Sequence, residues 1–152
     1  MVIATFLVFL TLPAHADIIG KPRVIDGDPI HMAGERIRLH GIDAPDAKQI
    51  CHDRDDKEWH CGEDATFALA RFIEFHWITC RGDTRDRYGR LIAVCYAGPY
   101  DLNAKMVLVG WALAHRRYSR DYVDAEAETR QARVGMWRGE FVPPWEWRKG
   151  KL

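Results

Sequence analysis

Four aspartates and two arginines stand at short spacings between positions 26 and 90. Asp26 and Asp28 flank a glycine in "VIDGD", Arg38 precedes Asp43 and Asp46 in "RIRLHGIDAPD", and Arg90 closes "DRYGR". Carboxylates gathered near turns offer hard oxygens, which suit Ca²⁺ or Mg²⁺ completed by carbonyls and water. Two separated guanidinium groups suit a phosphodiester, whose pentacoordinate transition state gathers negative charge on its equatorial oxygens. A further carboxylate can orient or deprotonate water. Each residue alone has an ordinary structural reading, since Asp-Gly is common hairpin punctuation and Arg-Asp pairs are often only surface bridges. Their combination is what points to phosphate chemistry.

Such a set must be positioned by a β-rich first half and a helical second half. Residues 18–32 and 35–42 carry branched apolar positions around a turn at Ala33 and Gly34, and are expected to pair as antiparallel strands that bring Asp28 towards Arg38 and Asp43. "FHWITC" and "LIAVCY" flank "RGDTRDRYGR", which reads as strand, turn, strand. A first helix is expected over residues 63–75, with Ala65, Leu69, Phe72 and Ile73 on one face. A second should start at Asp101 as N-cap and stop at Gly110, burying Leu102, Met106 and Val109. A third, from Ser119 to about Val134, has acids early and arginines late, with Gly135 as its stop. The tail "MWRGEFVPPWEWRKGKL" carries three Trp, expected to staple it to the domain.

The 152 residues, 47% of them hydrophobic, suffice for one domain with a real core. Formal charge is zero, so the total announces no polyanion partner, yet 16 of the 22 cationic residues are Arg. That choice favours bidentate contacts to phosphate or carboxylate. Residues 2–12, "VIATFLVFLTL", are apolar and are followed by "AHA" at 14–16, the pattern of a signal peptide cleaved after Ala16. The run is 11 residues long, short of the roughly 20 that span a bilayer. Residues 1–16 are thus expected to be removed, leaving 17–152 as a secreted or periplasmic domain, a monomer by default. Export favours disulfides among the four cysteines. A hairpin centred in "DRYG" sets Cys80 opposite Cys95, and Cys51 would then bond Cys61 across "CHDRDDKEWHC". Zinc on Cys51, His52, His60 and Cys61 is the rival reading of that loop, though adjacent Cys-His pairs lack the usual ligand spacing.

"VIDGD", "RIRLHGIDAP" and "DRYGR" in that order, followed by "DLNAKMVLVGWA" and an acid-to-Arg helix ending "GMW", resemble the staphylococcal nuclease (thermonuclease) family from about Arg23 to Trp137. The resemblance implies an α+β chain with an OB-fold, a five-stranded β-barrel with three α-helices. It implies a Ca²⁺-dependent phosphodiesterase acting on single-stranded or double-stranded DNA and RNA. Asp28 and Asp43 would be the side-chain Ca²⁺ ligands, with the Ala44 carbonyl as a third and Asp26 close by. Arg38 and Arg90 would bind phosphate, Asp46 would activate water, and Tyr88 and Tyr118 would contact substrate. Cleavage of the P–O5′ bond would leave 3′-phosphate ends.

The chain departs from the family at Asp46, which stands where the catalytic glutamate is expected, so its carboxylate lies one methylene, about 1.5 Å, further back. A bridging water or Glu35 could supply what the short acid lacks. Pro29 and Ala44 replace threonines. Two other classes of function therefore stand beside the enzyme: a non-catalytic nucleic-acid- or protein-binding OB-fold, and a zinc-bearing extracytoplasmic module.

Overall fold

The computed structural model describes residues 17–150, so the expected signal peptide lies outside the described residues. The chain runs through β1 (Ile18–Gly20), β2 (Arg23–Val24), β3 (Pro29–Met32), β4 (Glu35–Leu39), β5 (Ile42–Asp43), β6 (Cys51–His52), β7 (Glu58–Trp59) and α1 (Cys61–Ile73). It continues through β8 (Ile78–Arg85), β9 (Leu91–Ala97), β10 (Tyr100–Asp101), α2 (Leu102–Leu108), β11 (Leu113–Ala114), α3 (Val123–Ala132), a 3₁₀ turn (Gly135–Arg138) and α4 (Pro144–Trp147).

A seven-stranded sheet in the order β1-β8-β9-β4-β3-β2, with β10 added to β9, forms the scaffold. The β4 and β9 strands pair parallel, and the other pairs in this sheet are antiparallel. The β3–β4 hairpin closes through Ala33 and Gly34, with φ of 51° and 79°, the positive values that a type I′ turn needs at both central residues. Strict alternation along β9 turns Leu91, Ala93, Cys95 and Ala97 inward. Those side chains join Ile30, Ile37, Leu39, Leu69 and Met106 in one core.

Several boundaries differ from the sequence reading for local reasons. Residues 18–32 form three strands, because the Ile25 N–H donates to the Pro29 carbonyl (3.3 Å) and closes the acidic segment into a loop. Helix α1 begins at Cys61, where the loop carbonyl of Gln49 accepts the Gly62 N–H at 3.2 Å and satisfies a first-turn donor. Asp101 caps α2 as expected, its Oδ1 accepting the Ala104 N–H at 2.9 Å, but Val107 is buried in place of Val109. Helix α3 starts after Ser119, whose Oγ accepts the Asp121 N–H at 3.0 Å, a local bond that competes with helix.

The sheet has seven strands where the resemblance implies a five-stranded barrel, and among the described residues no pairing of β1 with β2 closes it. The short α4 is a fourth helix, started by Pro144 at a position that needs no N–H. The tail staples as expected: Trp137, Phe141 and Trp145 pack on a small second core of Cys51, Cys61, Leu113 and Met136. Cys51 is bonded to Cys61, and Cys80 to Cys95 with which it is in register. Thiols so used cannot serve zinc, and among the described residues no group of three or more His, Cys, Asp and Glu side chains converges on a metal position.

Candidate active site

Pro29 pairs with Arg38 across the β3–β4 hairpin, and the Leu39 N–H donates to the Asp28 carbonyl at 3.4 Å. The backbones of Arg38 and Asp28 are thereby held side by side where β3 begins. Asp43 is placed from further away, by pairing with Leu113 of β11. Asn103 braces the intervening turn, its Nδ2 donating to the carbonyls of His40 (3.0 Å) and Ala93 (3.1 Å).

The two acidic loops meet because one residue between Asp26 and Asp28 has no side chain. A Cβ on Gly27 would stand 2.6 Å from the Ala44 Cβ, well inside van der Waals contact. The segment after Asp43 is pinned twice more. Asp26 Oδ1 accepts the Ala47 N–H at 2.6 Å, and the Gln49 N–H donates to the Asp46 carbonyl at 2.8 Å. Asp26 thus holds the loop that carries Asp46.

Arg90 is set by the turn "DRYGR". Asp86 Oδ1 accepts the Tyr88 and Arg90 N–H groups at 2.9 and 3.0 Å, while Oδ2 accepts Arg90 Nε at 2.7 Å. Tyr88 lies 57% exposed with its ring 5.5 Å from the Arg90 guanidinium. Core packing is therefore not its role.

These residues face one cleft of about 450 Å³, lined by Asp28, Arg38, Asp46, Tyr88, Arg90 and Arg148 among others. Asp43 lies just beneath, fully buried. Tyr118 is 61% exposed in an adjoining groove that shares Arg38 and Arg148, its ring 5.7 Å from the Arg38 guanidinium. A larger cleft, about 1060 Å³, runs between α3 and the tail. It contains none of the four aspartates, so the smaller cleft is the chemically furnished one.

Burial, and secondarily the neighbouring Asp43, pushes the Asp28 carboxyl up to about 7, against the pull of Arg38, Arg148 and Arg90. Asp43 Oδ1 is buried and has no hydrogen-bond partner among the described residues. A carboxylate oxygen costs free energy when left so, and an incoming cation would satisfy it. Two carboxylates and the Ala44 carbonyl are hard donors, too few for a closed cage, and Ca²⁺ completes such a set with water and substrate oxygens. The donor chemistry fits a divalent cation held between Asp28 and Asp43.

Glu35, weighed beside Asp46, is engaged away from the cleft. It grips Arg85 through both carboxylate oxygens (2.8 and 2.9 Å) and does not line the cleft. Arg148 at the end of α4 is the residue that sequence reasoning missed. Its Nη2 donates to Asp43 Oδ2 and its Nη1 to Asp46 Oδ1, the latter at 2.9 Å. The available signal was Pro144, which starts a single helical turn and so sets the direction in which Arg148 leaves it. His115 was also missed. It lies 3.8 Å from Asp43 and between the rings of Tyr118 and Trp145. Burial holds its pKa below the usual value despite Asp43, and Arg38 and Arg148 add to the depression.

Residues 36–139 match the family described as "Staphylococcal nuclease homologue". The chain is 34% identical to the "Succinoglycan biosynthesis protein ExoI" of Rhizobium meliloti (strain 1021), over 91% of this chain and 74% of that protein. It is 36% identical to an "Uncharacterized endonuclease" of Escherichia coli O157:H7, over 90% of this chain and 88% of that protein. Identity to a "Micrococcal nuclease" of Shigella flexneri is 30%, over 97% of this chain and 90% of that protein. Matched across its sheet, its acidic loops and its arginine turn, the chain belongs to the staphylococcal nuclease family and has that family's OB-fold.

Proposed function

We propose that this chain is a Ca²⁺-dependent nuclease that hydrolyses phosphodiester bonds of DNA and RNA, single-stranded or double-stranded. The observation that carries the reading is the shared cleft, where Asp28 and Asp46 face Arg38 and Arg90 above an Asp43 Oδ1 with no hydrogen-bond partner among the described residues. Arg38 and Arg90 grip the non-bridging oxygens and stabilise the charge that grows on them. Asp46 takes a proton from water as the water oxygen bonds to phosphorus. The P–O5′ bond breaks, O5′ leaves with help from an Arg90 N–H bond and takes its proton from solvent, and the other product ends in a 3′-phosphate. A divalent cation on Asp28, Asp43 and the Ala44 carbonyl would supply charge to polarise the phosphate. Tyr88 and Tyr118, exposed beside the two arginines, would pack on the sugar and base. Recognition through phosphates requires no particular sequence, and affinity should fall with salt.

Residues 1–16 would act as a signal peptide and deliver residues 17–152 to the periplasm or the exterior, where two disulfides persist. The domain would work as a monomer. A binding module without catalysis is the second reading, favoured by one observation: Asp46 is both short and engaged by Arg148. Cleavage assays on DNA and RNA with Ca²⁺ or EDTA, alongside Arg38→Ala, decide between them. The nuclease reading requires cleavage that EDTA abolishes and Arg38→Ala strongly reduces. Nucleic-acid binding without any cleavage would establish the module.

A further inference from the structure

Arg148 spreads its guanidinium across Asp43 and Asp46, linking the acid beneath the cleft to the acid on its rim. The arrangement is lopsided. Asp43 is wholly buried and its second oxygen has no hydrogen-bond partner among the described residues, whereas the Arg148 side chain is 36% exposed and lines the same cleft as Arg38 and Arg90. Its backbone is fixed independently, since the Arg148 N–H donates to the Pro144 carbonyl at 3.1 Å and the Trp145 ring packs against His115 at a tilt of 47°. Rotation of the side chain alone could therefore change its partner without unseating α4.

We propose that Arg148 is an internal counter-ion of the metal site, which a divalent cation displaces and which then becomes a third phosphate-binding guanidinium. The inference rests on the nuclease reading above. A doubly charged ion on Asp43 places a like charge beside Arg148 and spends the negative charge that held it. Asp46 still faces the cleft, and a phosphate bound there adds charged oxygens beside it, for which a guanidinium fork is well shaped. Cation and phosphate thus bind cooperatively, because each favours the released arrangement of Arg148.

The test is calorimetric titration of Ca²⁺ into the parent, Arg148→Gln and Arg148→Lys, each with and without adenosine 5′-monophosphate as the phosphate probe. Arg148→Gln is expected to bind Ca²⁺ alone about tenfold more tightly than the parent, within the usual range of coupling between sites. The nucleotide should tighten Ca²⁺ binding in both proteins through the direct attraction of cation and phosphate, but about fivefold more in the parent than in Arg148→Gln. Unchanged or weaker Ca²⁺ binding by folded Arg148→Gln overturns the proposal, makes Arg148 a tether for the two acids, and leaves the nuclease reading intact. No Ca²⁺ binding by any of the three proteins overturns both. If Arg148→Gln does not fold, Arg148→Lys decides, since it keeps one charge without the fork: tighter Ca²⁺ binding than the parent supports the proposal and equal or weaker binding overturns it.

Discussion

Gly62 in the first turn of α1 lies directly against Asp46, such that a Cβ on Gly62 would stand 1.8 Å from the Asp46 carbonyl oxygen. Backbone on backbone leaves no flexible group to give way. The helix thus acts as a wall that holds the Asp46 peptide in place, opposite the Asp26 carboxylate that accepts the Ala47 N–H.

Gly62→Ala is therefore expected to move the Asp46 loop or unseat the helix. Overpacking of this kind costs about 1–3 kcal/mol, and a displacement near 1 Å at a catalytic group costs about a hundredfold in rate. Thermal melts and cleavage rates measured together would check this. Near-normal stability with near-normal rate would mean that the wall has no bearing on Asp46.

Asp28 gives the metal-free protein a pH dependence of definite sign. Its carboxyl titrates at about 7 in the fold against 3.8 ordinarily, so the folded state holds more protons than the unfolded one between those values. Its contribution to stability is present below the lower value and is lost as pH rises through the upper one. In EDTA, melting temperature should respond to this loss as pH rises from about 4 to 7, and Asp28→Asn should flatten that component. If Ca²⁺ binds Asp28 as proposed, it needs the ionised form, so its binding should release protons and tighten with pH over the same window. Titrations in buffers of different ionisation enthalpy would count the protons.

The two disulfides are expected to differ in what their loss does to activity. Cys80–Cys95 joins neighbouring strands already paired in register. Cys51–Cys61 sits at the start of α1, next to Gly62 and the Gln49 carbonyl that receives its N–H. Removing either should cost about 2–4 kcal/mol. Paired Cys→Ser variants at 51 and 61 should also slow cleavage by moving the Asp46 loop, whereas the pair at 80 and 95 should leave the rate of the folded fraction nearly unaltered. Equal losses of rate in both pairs would count against the link from α1 to the site.

What was legible from the sequence is what is decided locally. Ala33 and Gly34 announce the hairpin, Asp101 announces the cap of α2, and a hairpin centred in "DRYG" sets Cys80 opposite Cys95. What was not legible depends on contacts between distant segments. Asp43 is buried because Leu113 pairs with it, and Arg148 reaches it from 105 residues away. Neither leaves a periodic trace. Helix α3 hid its inner face because that face is polar: Glu126 Oε1 accepts the Ala114 N–H at 3.0 Å and Thr129 Oγ1 donates to the Val107 carbonyl at 2.9 Å. A search for an apolar stripe passes over such a face.

Asp46 is the residue whose chemistry the sequence put in question, and the fold sharpens the question. Its loop is anchored by Asp26, by Gln49 and by the wall of α1, so its backbone is held in place. The side chain is itself directed towards Arg148. Asp46→Glu adds about 1.5 Å of reach from the same anchored backbone, and the cleft has room for it. Faster cleavage is therefore expected, by about tenfold to a hundredfold if reach is the limit. If Asp46 is the general base, as proposed, Asp46→Asn should slow the parent by about a hundredfold or more. Single-turnover rates across the three proteins distinguish the cases: a slower Asp46→Glu would mean that the short acid is matched to its Arg148 partner, and an unaffected Asp46→Asn would mean that another group activates the water.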